Sequence, residues 1–138
     1  MSATAQRSWS GKIHGISSIQ KPRQKVSKYR AQPVVVSGVR YASKSEEKRH
    51  RQLLLLQQSG EISDLNMQVS FELVPSVRFE GSSRAKPAMR YVADFVYLDN
   101  SGKRVIEDVK GVLTPEFQLK RHLMLALLGL HIKIVKAR

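Results

Sequence analysis

Two neighbouring segments rich in β-branched and aromatic residues carry acidic side chains where a half-buried strand would normally exclude them. The segments run from Tyr91 to Tyr97 and from Val105 to Lys110, and a turn at Asn100-Ser101-Gly102 joins them. Strands disfavour Asp, and a buried carboxylate is costly unless it is paired or bound to a metal. The pattern therefore predicts a β-hairpin that holds Asp94 and Asp108 for a purpose other than packing.

Side-chain direction separates the two acids of the second segment. Strand side chains alternate between faces, so Asp108 and Lys110 point one way while Glu107 points the other. Two carboxylates and an ammonium group that meet in one place suit a divalent metal ion and a phosphodiester. Glu107 is the alternative to Asp108, because a bulge in the strand would reverse the choice.

Size and composition limit what kind of protein this is. The 138 residues suffice for one domain with a core. There is no cysteine, which excludes disulfides and thiolate zinc sites and fits a reducing cytoplasm. No apolar run approaches the ~20 residues of a membrane span, and the run from Leu53 to Leu56 is far too short. We therefore expect no membrane partner, and the absence of a glycine-rich phosphate loop and of histidine ligand spacing predicts no small-molecule cofactor.

The positive charge is large and unevenly placed. The net charge is +13, and all the acidic residues lie after residue 40. A basic chain attracts polyanions through its field and through release of condensed counterions. We interpret residues 1–32 as a basic, flexible N-terminal arm and residues 33–138 as the folded domain.

Two helices are indicated by the residues at their ends. Ser43 followed by Glu46 fits a capping box, and this helix is predicted to end near Ser59-Gly60. Thr114-Pro115-Glu116 fits the start of a second helix with Pro at its first position, and Gly129 fits its end. The residues predicted to be buried on the second helix are Phe117, Leu123, Met124, Leu127 and Leu128.

Strands are predicted before, between and after these helices. Alternation of polar and apolar residues predicts a strand from Gln68 to Val74, closed by Pro75, and residues 76–88 read as a loop before the hairpin. A short hairpin over Val34–Tyr41 opens the domain, and Ile132–Ile134 forms a last strand. The order predicts an α/β fold with an αβββαβ core and a mixed sheet.

The acidic hairpin resembles the signature of a known superfamily. Asp94, followed after a turn by Asp108-Val109-Lys110, resembles the PD-(D/E)XK nucleases, whose restriction-endonuclease-like core has the same element order. The chain is most similar to a phage-encoded branch of unknown function, and also resembles transposon end-cleaving TnsA proteins and junction-resolving nucleases, over roughly residues 38 to 135. Ala93 stands where the superfamily name implies Pro. The residues that carry the closer resemblance are Ser43 to Glu46, Gly60 to Ser63, Gln68, Tyr91 to Tyr97, Glu107 to Gly111, and Phe117 to Lys120.

The resemblance implies metal-dependent hydrolysis of a DNA phosphodiester. Asp94 and Asp108 would hold Mg²⁺ or Mn²⁺ with help from the Val109 carbonyl, because hard cations prefer oxygen ligands. Glu46 would reach in from the helix as a further ligand, directly or through water. A metal-held water would be the nucleophile, and Lys110 would orient that water or neutralise charge on the phosphate.

The resemblance also implies partners and a location. We expect DNA as substrate and a second copy of the chain as partner, since cutting both strands takes two sites and a single site would nick. The expected location is the cytoplasm, that of a bacterial host cell if the chain is phage-encoded. The residues expected to bind DNA are Lys44, Arg49, Lys120 and Arg121.

Each of these roles has a structural alternative. Gln68 either hydrogen-bonds near the metal or faces solvent. The whole chain could be a non-catalytic nucleic-acid-binding protein with a nuclease-like fold, and the choice among junctions, a specific duplex site and any duplex stays open. The residue-level alternatives are a capping role for Glu46, a salt bridge from Asp94 to Arg90 or Lys103, a structural pair of Asp108 with Lys110, and solvated charges for Lys120 and Arg121.

Overall fold

A computed structural model describes residues 32–138 of the chain. The predicted arm of residues 1–32 therefore lies outside the described residues, apart from Gln32. The elements are, in chain order, β1 (Val34–Val36), β2 (Val39–Tyr41), α1 (Lys44–Gln58), β3 (Ser63–Val74), β4 (Met89–Leu98), β5 (Arg104–Lys110), α2 (Pro115–Leu128) and β6 (Lys133–Lys136).

The main sheet has four strands in the order β3-β4-β5-β6. Strands β3, β4 and β5 pair antiparallel, and β6 pairs parallel to β5 after the α2 crossover. Strands β1 and β2 form a separate hairpin. The predicted α/β fold with a mixed sheet is confirmed. Within the described residues, no helix combines the length and apolar character needed to cross a bilayer.

The helix ends follow the capping signals. Ser43 is the N-cap of α1, and its hydroxyl accepts the Glu46 N–H at 3.2 Å. Glu46 returns a carboxylate oxygen to the N–H of Ala42 at 2.8 Å, one residue earlier than in a regular capping box. Thr114 caps α2, and Gly129 ends it in the left-handed conformation at φ 66°.

Two core clusters lie on opposite faces of the sheet. One packs under α2 and the other under α1, and consecutive residues of β5 alternate between them. Leu127 and Leu128 were predicted to be buried on α2 but are exposed, because α2 buries only the side that carries Phe117 and Met124. The buried residues under α2 are Phe71, Leu73, Tyr91, Ala93, Val96, Ile106, Phe117, Met124 and Ile132, and those under α1 are Leu53, Ile62, Phe95 and Tyr97.

Strand β3 begins at Ser63, earlier than the predicted Gln68, because its regular alternation breaks at Gln68. Met67 packs with the α1-side cluster and Val69 with the α2-side cluster, although residues two apart in a strand normally share a face. Gln68 between them has φ 51°, a left-handed conformation that is uncommon for a residue other than glycine. At Gln68 the odd-numbered residues of β3 therefore change from the α1 side of the sheet to the α2 side.

Strand β4 makes the same change of face at the position opposite Gln68. By register Asp94 lies opposite Gln68, between the pairs Met67↔Phe95 and Val69↔Ala93. Ala93 belongs to the α2-side cluster and Phe95 to the α1-side cluster. The two strands therefore exchange faces together, and Asp94 stands at the exchange point.

Candidate active site

Strands β4 and β5 separate just where the acidic residues occur. The two strands pair from their turn as far as Phe95↔Glu107, and no pair follows in the ladder. Beyond this point Asp94 Oδ2 accepts the backbone N–H of Val109 at 2.8 Å. A side chain thus replaces a ladder hydrogen bond, and the carboxyl groups of Asp94 and Asp108 come together where the strands part.

Asp108 is buried, with one of its oxygens satisfied and the other not. Only 1 % of the residue is exposed. Oδ2 accepts a hydrogen bond from the Tyr91 hydroxyl at 2.5 Å. Oδ1 lies 3.1 Å from Lys110 Nζ and forms an ion pair with it. The ammonium group is not oriented for a hydrogen bond to Oδ1, and no other donor reaches this oxygen. A buried oxygen with an open lone pair is rare in proteins and calls for an explanation.

Lys110 is fixed between the acid and an aromatic ring. Its ammonium lies 4.9 Å from the centre of the Phe117 ring, on the first turn of α2. A cation over an aromatic face is attracted by the ring quadrupole. Lys110 is therefore held at the mouth of the site by groups from two elements, β5 and α2.

The protonation of Asp94 reflects its closeness to Asp108. Burial raises the pKa of Asp94 most, and a hydrogen bond to Asp108 and the Asp108 charge raise it further, while the Val109 N–H lowers it; the pKa reaches about 8. Without another cation, Asp94 therefore keeps a proton at neutral pH. A proton on Asp94 therefore stands where a metal ion would compete with it.

Glu46 approaches from the N-terminal turn of α1. Burial raises the pKa of Glu46 most, and the Asp108 charge adds to this, against the lowering effect of its hydrogen bonds. Oε1 accepts from the Gln68 side-chain amide at 2.9 Å, and Oε2 accepts from the Ala42 N–H. Both oxygens already have protein donors, so a bridging water suits Glu46 better than direct contact with a cation.

An open cavity of about 600 Å³ gives access to these groups. Glu46, Asp94, Val109 and Lys110 line it, and Asp108 lies behind them in contact with Lys110. The structure thus brings together every residue that was predicted for the catalytic and metal-binding sets. Their chemical roles remain predictions.

Glu107 occupies the opposite face and is fully paired. Its carboxylate meets Arg49 at two positions, 2.5 Å to Nε and 3.0 Å to Nη2, and accepts the Tyr97 hydroxyl at 2.7 Å. Lys133 Nζ lies 3.8 Å away. Since β5 alternates regularly here, Asp108 and not Glu107 shares a face with Lys110.

The residues predicted to bind DNA are spread over the molecule. Lys44 is exposed and lines the active-site cavity. Arg49 is held by Glu107, Lys120 pairs with Glu116 at 3.1 Å, and Arg121 lines a different cleft on α2. Binding of DNA by these residues stays a prediction, and of the four only Lys44 lines the cavity that holds the carboxylates.

The donor set fits a hard divalent cation in kind. Asp94 and Asp108 offer carboxylate oxygens, one of them a buried atom without a donor, and the backbone carbonyl of Val109 is close by in sequence. Across residues 32–138, no group of three or more His, Cys, Asp or Glu side chains has the arrangement of a formed metal cage.

Tyr91 is a member of the site that the sequence did not indicate. Its hydroxyl holds Asp108, and burial together with Asp108 raises the pKa of Tyr91 far above its usual range. The two residues are 17 positions apart. The face exchange at Asp94 breaks the alternation that would have related Tyr91 to the second strand, so no periodic signal was available.

Comparison with known proteins places the chain in a family. The model of a family described as "Protein of unknown function (DUF1064)" matches residues 26–135. The chain belongs to this family. The match starts inside the predicted basic arm and covers the main sheet up to the third residue of β6. Comparison with curated proteins and with solved structures gives no match.

Proposed function

We propose that this protein is a metal-dependent DNA endonuclease that hydrolyses phosphodiester bonds in duplex or branched DNA. The observation that carries the proposal is the meeting of the buried carboxyl group of Asp108 and the partly buried one of Asp94 where β4 and β5 part, with Lys110 3.1 Å from Asp108. A buried carboxylate oxygen without a hydrogen-bond donor is unfavourable in a purely structural role. A carboxyl group with a strongly raised pKa beside an accessible cavity, as at Asp94, is typical of functional sites.

The chain's own groups divide the work of such a reaction. Asp94, Asp108 and the Val109 carbonyl would hold Mg²⁺ or Mn²⁺, which would supply positive charge for the phosphate and lower the pKa of an attacking water. Lys110, held by its ion pair and by Phe117, orients that water or stabilises charge on the phosphate oxygens.

Two residues behind these groups keep them in place. Tyr91 fixes Asp108 in one orientation, with Oδ1 left for a cation. Glu46, with Gln68 and Ala42 holding both its oxygens, acts through a water molecule. The proposal thus assigns direct metal contact to the strand acids and an indirect role to the helix glutamate.

The charge of the chain supports DNA as the substrate. A net charge of +13 favours a polyanion, and contacts between basic side chains and phosphates are favoured further by counterion release. Two copies of the chain would cut both strands, and one copy would nick. A homodimer is accordingly the proposed cutting form, and the monomer the proposed nicking form.

A non-catalytic nucleic-acid-binding protein is the second candidate. Its support is that Glu46 and Asp108 are already held by protein donors, and that the charge alone suffices for binding. In that case the buried acids would be remnants of the fold, and DNA would bind without being cut.

Cleavage assays distinguish the two candidates. Supercoiled plasmid and a four-way junction are incubated with wild type in Mg²⁺, in Mn²⁺ and in chelator. We expect nicked or linear product only with metal. Asp94→Asn should remove cutting and keep DNA binding, whereas Asp64→Asn, an exposed Asp in β3, should cut like wild type. Tight binding by wild type with no cutting in either metal would favour the non-catalytic protein.

A further inference from the structure

A second, basic cleft adjoins the active site. It lies between the N-terminal half of α1 and the end of β6, and its volume is about 310 Å³. Lys48, Lys136 and Arg138 supply its free charges. The cleft shares Ser45 and Val109 with the active-site cavity, so the two are continuous.

No acidic side chain lines this cleft to offset its cations. The main-chain oxygen of Arg138 lies there and accepts the Ser45 hydroxyl at 3.2 Å, and the fourth cation, Arg49, is already neutralised by Glu107. Within residues 32–138, Lys48, Lys136 and Arg138 take part in no ion pair, and all three are exposed or partly exposed. Three unpaired cations in one concave surface create a local field that attracts an anionic polymer.

We infer that this basic cleft, formed by Lys48, Lys136 and Arg138, holds the phosphate backbone of the DNA strand beside the group that is cut. The inference rests on the proposed function for its choice of DNA. Contacts to phosphates position a strand without reading its sequence. The cleft should therefore contribute affinity and placement of the strand, equally for every sequence.

The salt dependence of binding tests the cleft directly. A labelled duplex is titrated by anisotropy from low to moderate salt, in chelator, with wild type and with the triple variant Lys48→Gln, Lys136→Gln, Arg138→Gln. Each phosphate contact contributes about 0.9 to the slope of log affinity against log salt. We expect the slope to fall by roughly 2–3 in the triple variant.

A matched control carries the same loss of charge elsewhere. Arg84→Gln, Lys86→Gln and Lys103→Gln remove three exposed cations from the loop after β3 and the turn before β5. This control should change the slope by less than about 1. In the presence of metal, the cleft variant should raise KM for DNA and leave kcat nearly unchanged, because contacts to the uncut part of the strand are the same in the ground state and the transition state.

The outcomes separate this inference from the proposed function. An unchanged slope in the cleft variant, with wild type that binds and cuts, would overturn the cleft and leave the endonuclease standing. A reduced slope with wild type that never cuts supports the cleft and contradicts the endonuclease. Equal effects of the cleft variant and the control would also overturn the cleft, because net charge alone would then explain binding.

Discussion

Glu107 and Asp108 are neighbours in the chain, are equally buried, and have opposite surroundings. Their exposed fractions are 0 % and 1 %. Glu107 meets a guanidinium, a hydroxyl and a more distant ammonium, so each of its oxygens has partners. Asp108 has one hydroxyl, one poorly directed ammonium and a second carboxyl group close by.

The difference shows that burial of an acid does not by itself indicate function. A buried charge that is completely paired serves the fold, although its net contribution to stability is often small. A buried charge that is incompletely paired, next to another acid and an accessible cavity, has capacity left for a ligand. The two faces of β5 differ in whether the carboxylate oxygens have hydrogen-bond partners, and not in how deeply the carboxylates are buried.

The largest expected effect is on cleavage. Asp108→Asn should lower the rate of DNA cutting by roughly 10²–10³-fold or more, because it removes a charged ligand from the reacting centre. Glu107→Gln, assayed at a temperature where it is folded, should cut within a few-fold of wild type. Equal loss in both variants would show that the two faces do not divide the roles in this way. Single-turnover plasmid cleavage measures both rates.

The same two variants should reverse their order in stability. Glu107→Gln should lower the free energy of unfolding by about 2–3 kcal/mol, since Arg49 and Tyr97 lose a charged partner. Asp108→Asn should change it by less than about 1 kcal/mol, because removal of an incompletely paired buried charge offsets the weakened pair with Lys110. Urea unfolding in chelator measures both, with Glu72→Gln, from the exposed pair with Arg90, as a control expected within about 0–1 kcal/mol.

The pH dependence of the free energy of unfolding should come from Asp94, which lies next to Asp108. The pKa of Asp94 is raised to about 8 in the folded protein, against 3.8 for the free side chain. Between these values the folded state binds more protons than the unfolded state, so the free energy of unfolding falls as pH rises. We expect a loss of roughly 1–3 kcal/mol from pH 5 to pH 8 in chelator. Asp94→Asn should remove this slope, and a slope kept in the variant would place the proton elsewhere.

The smallest expected effect separates the two buried tyrosines. Tyr91→Phe removes the hydroxyl that holds Asp108 and should cost about 1 kcal/mol of stability and weaken Mn²⁺ binding by roughly 10-fold or more. Tyr97→Phe removes the matching hydroxyl on Glu107 and should cost a similar amount of stability without changing Mn²⁺ binding. Calorimetric titration with Mn²⁺ tests the contrast, and equal weakening by both changes would argue against a positioning role for Tyr91.

The sequence predicted the fold well wherever local signals were strong. Ser43, Thr114, Pro115 and Gly129 determine helix ends through contacts within a few residues, and those ends were correct. Runs of β-branched and aromatic residues located β4 and β5, and alternation along β5 separated Asp108 from Glu107. The four-stranded order follows from these elements and from the right-handed crossover.

The parts that could not be predicted depend on contacts between distant residues. Arg49 and Glu107 are 58 positions apart, and nothing in either segment indicates that they pair. The start of β3 was missed because Asp64 and Gln68 adopt positive φ and interrupt the alternation. Exposure of Leu127 and Leu128 depends on how far the sheet extends under α2, which helical periodicity does not specify.

Gln68 connects backbone strain in β3 to the candidate active site. Gln68→Gly would let the backbone adopt its unusual angle freely and recover roughly 1 kcal/mol, since side chains other than glycine disfavour that angle. The same substitution would remove the side-chain amide that donates a hydrogen bond to Glu46. Laboratory selection for thermal stability alone should therefore favour glycine at this position. The selected protein should be more stable and less active.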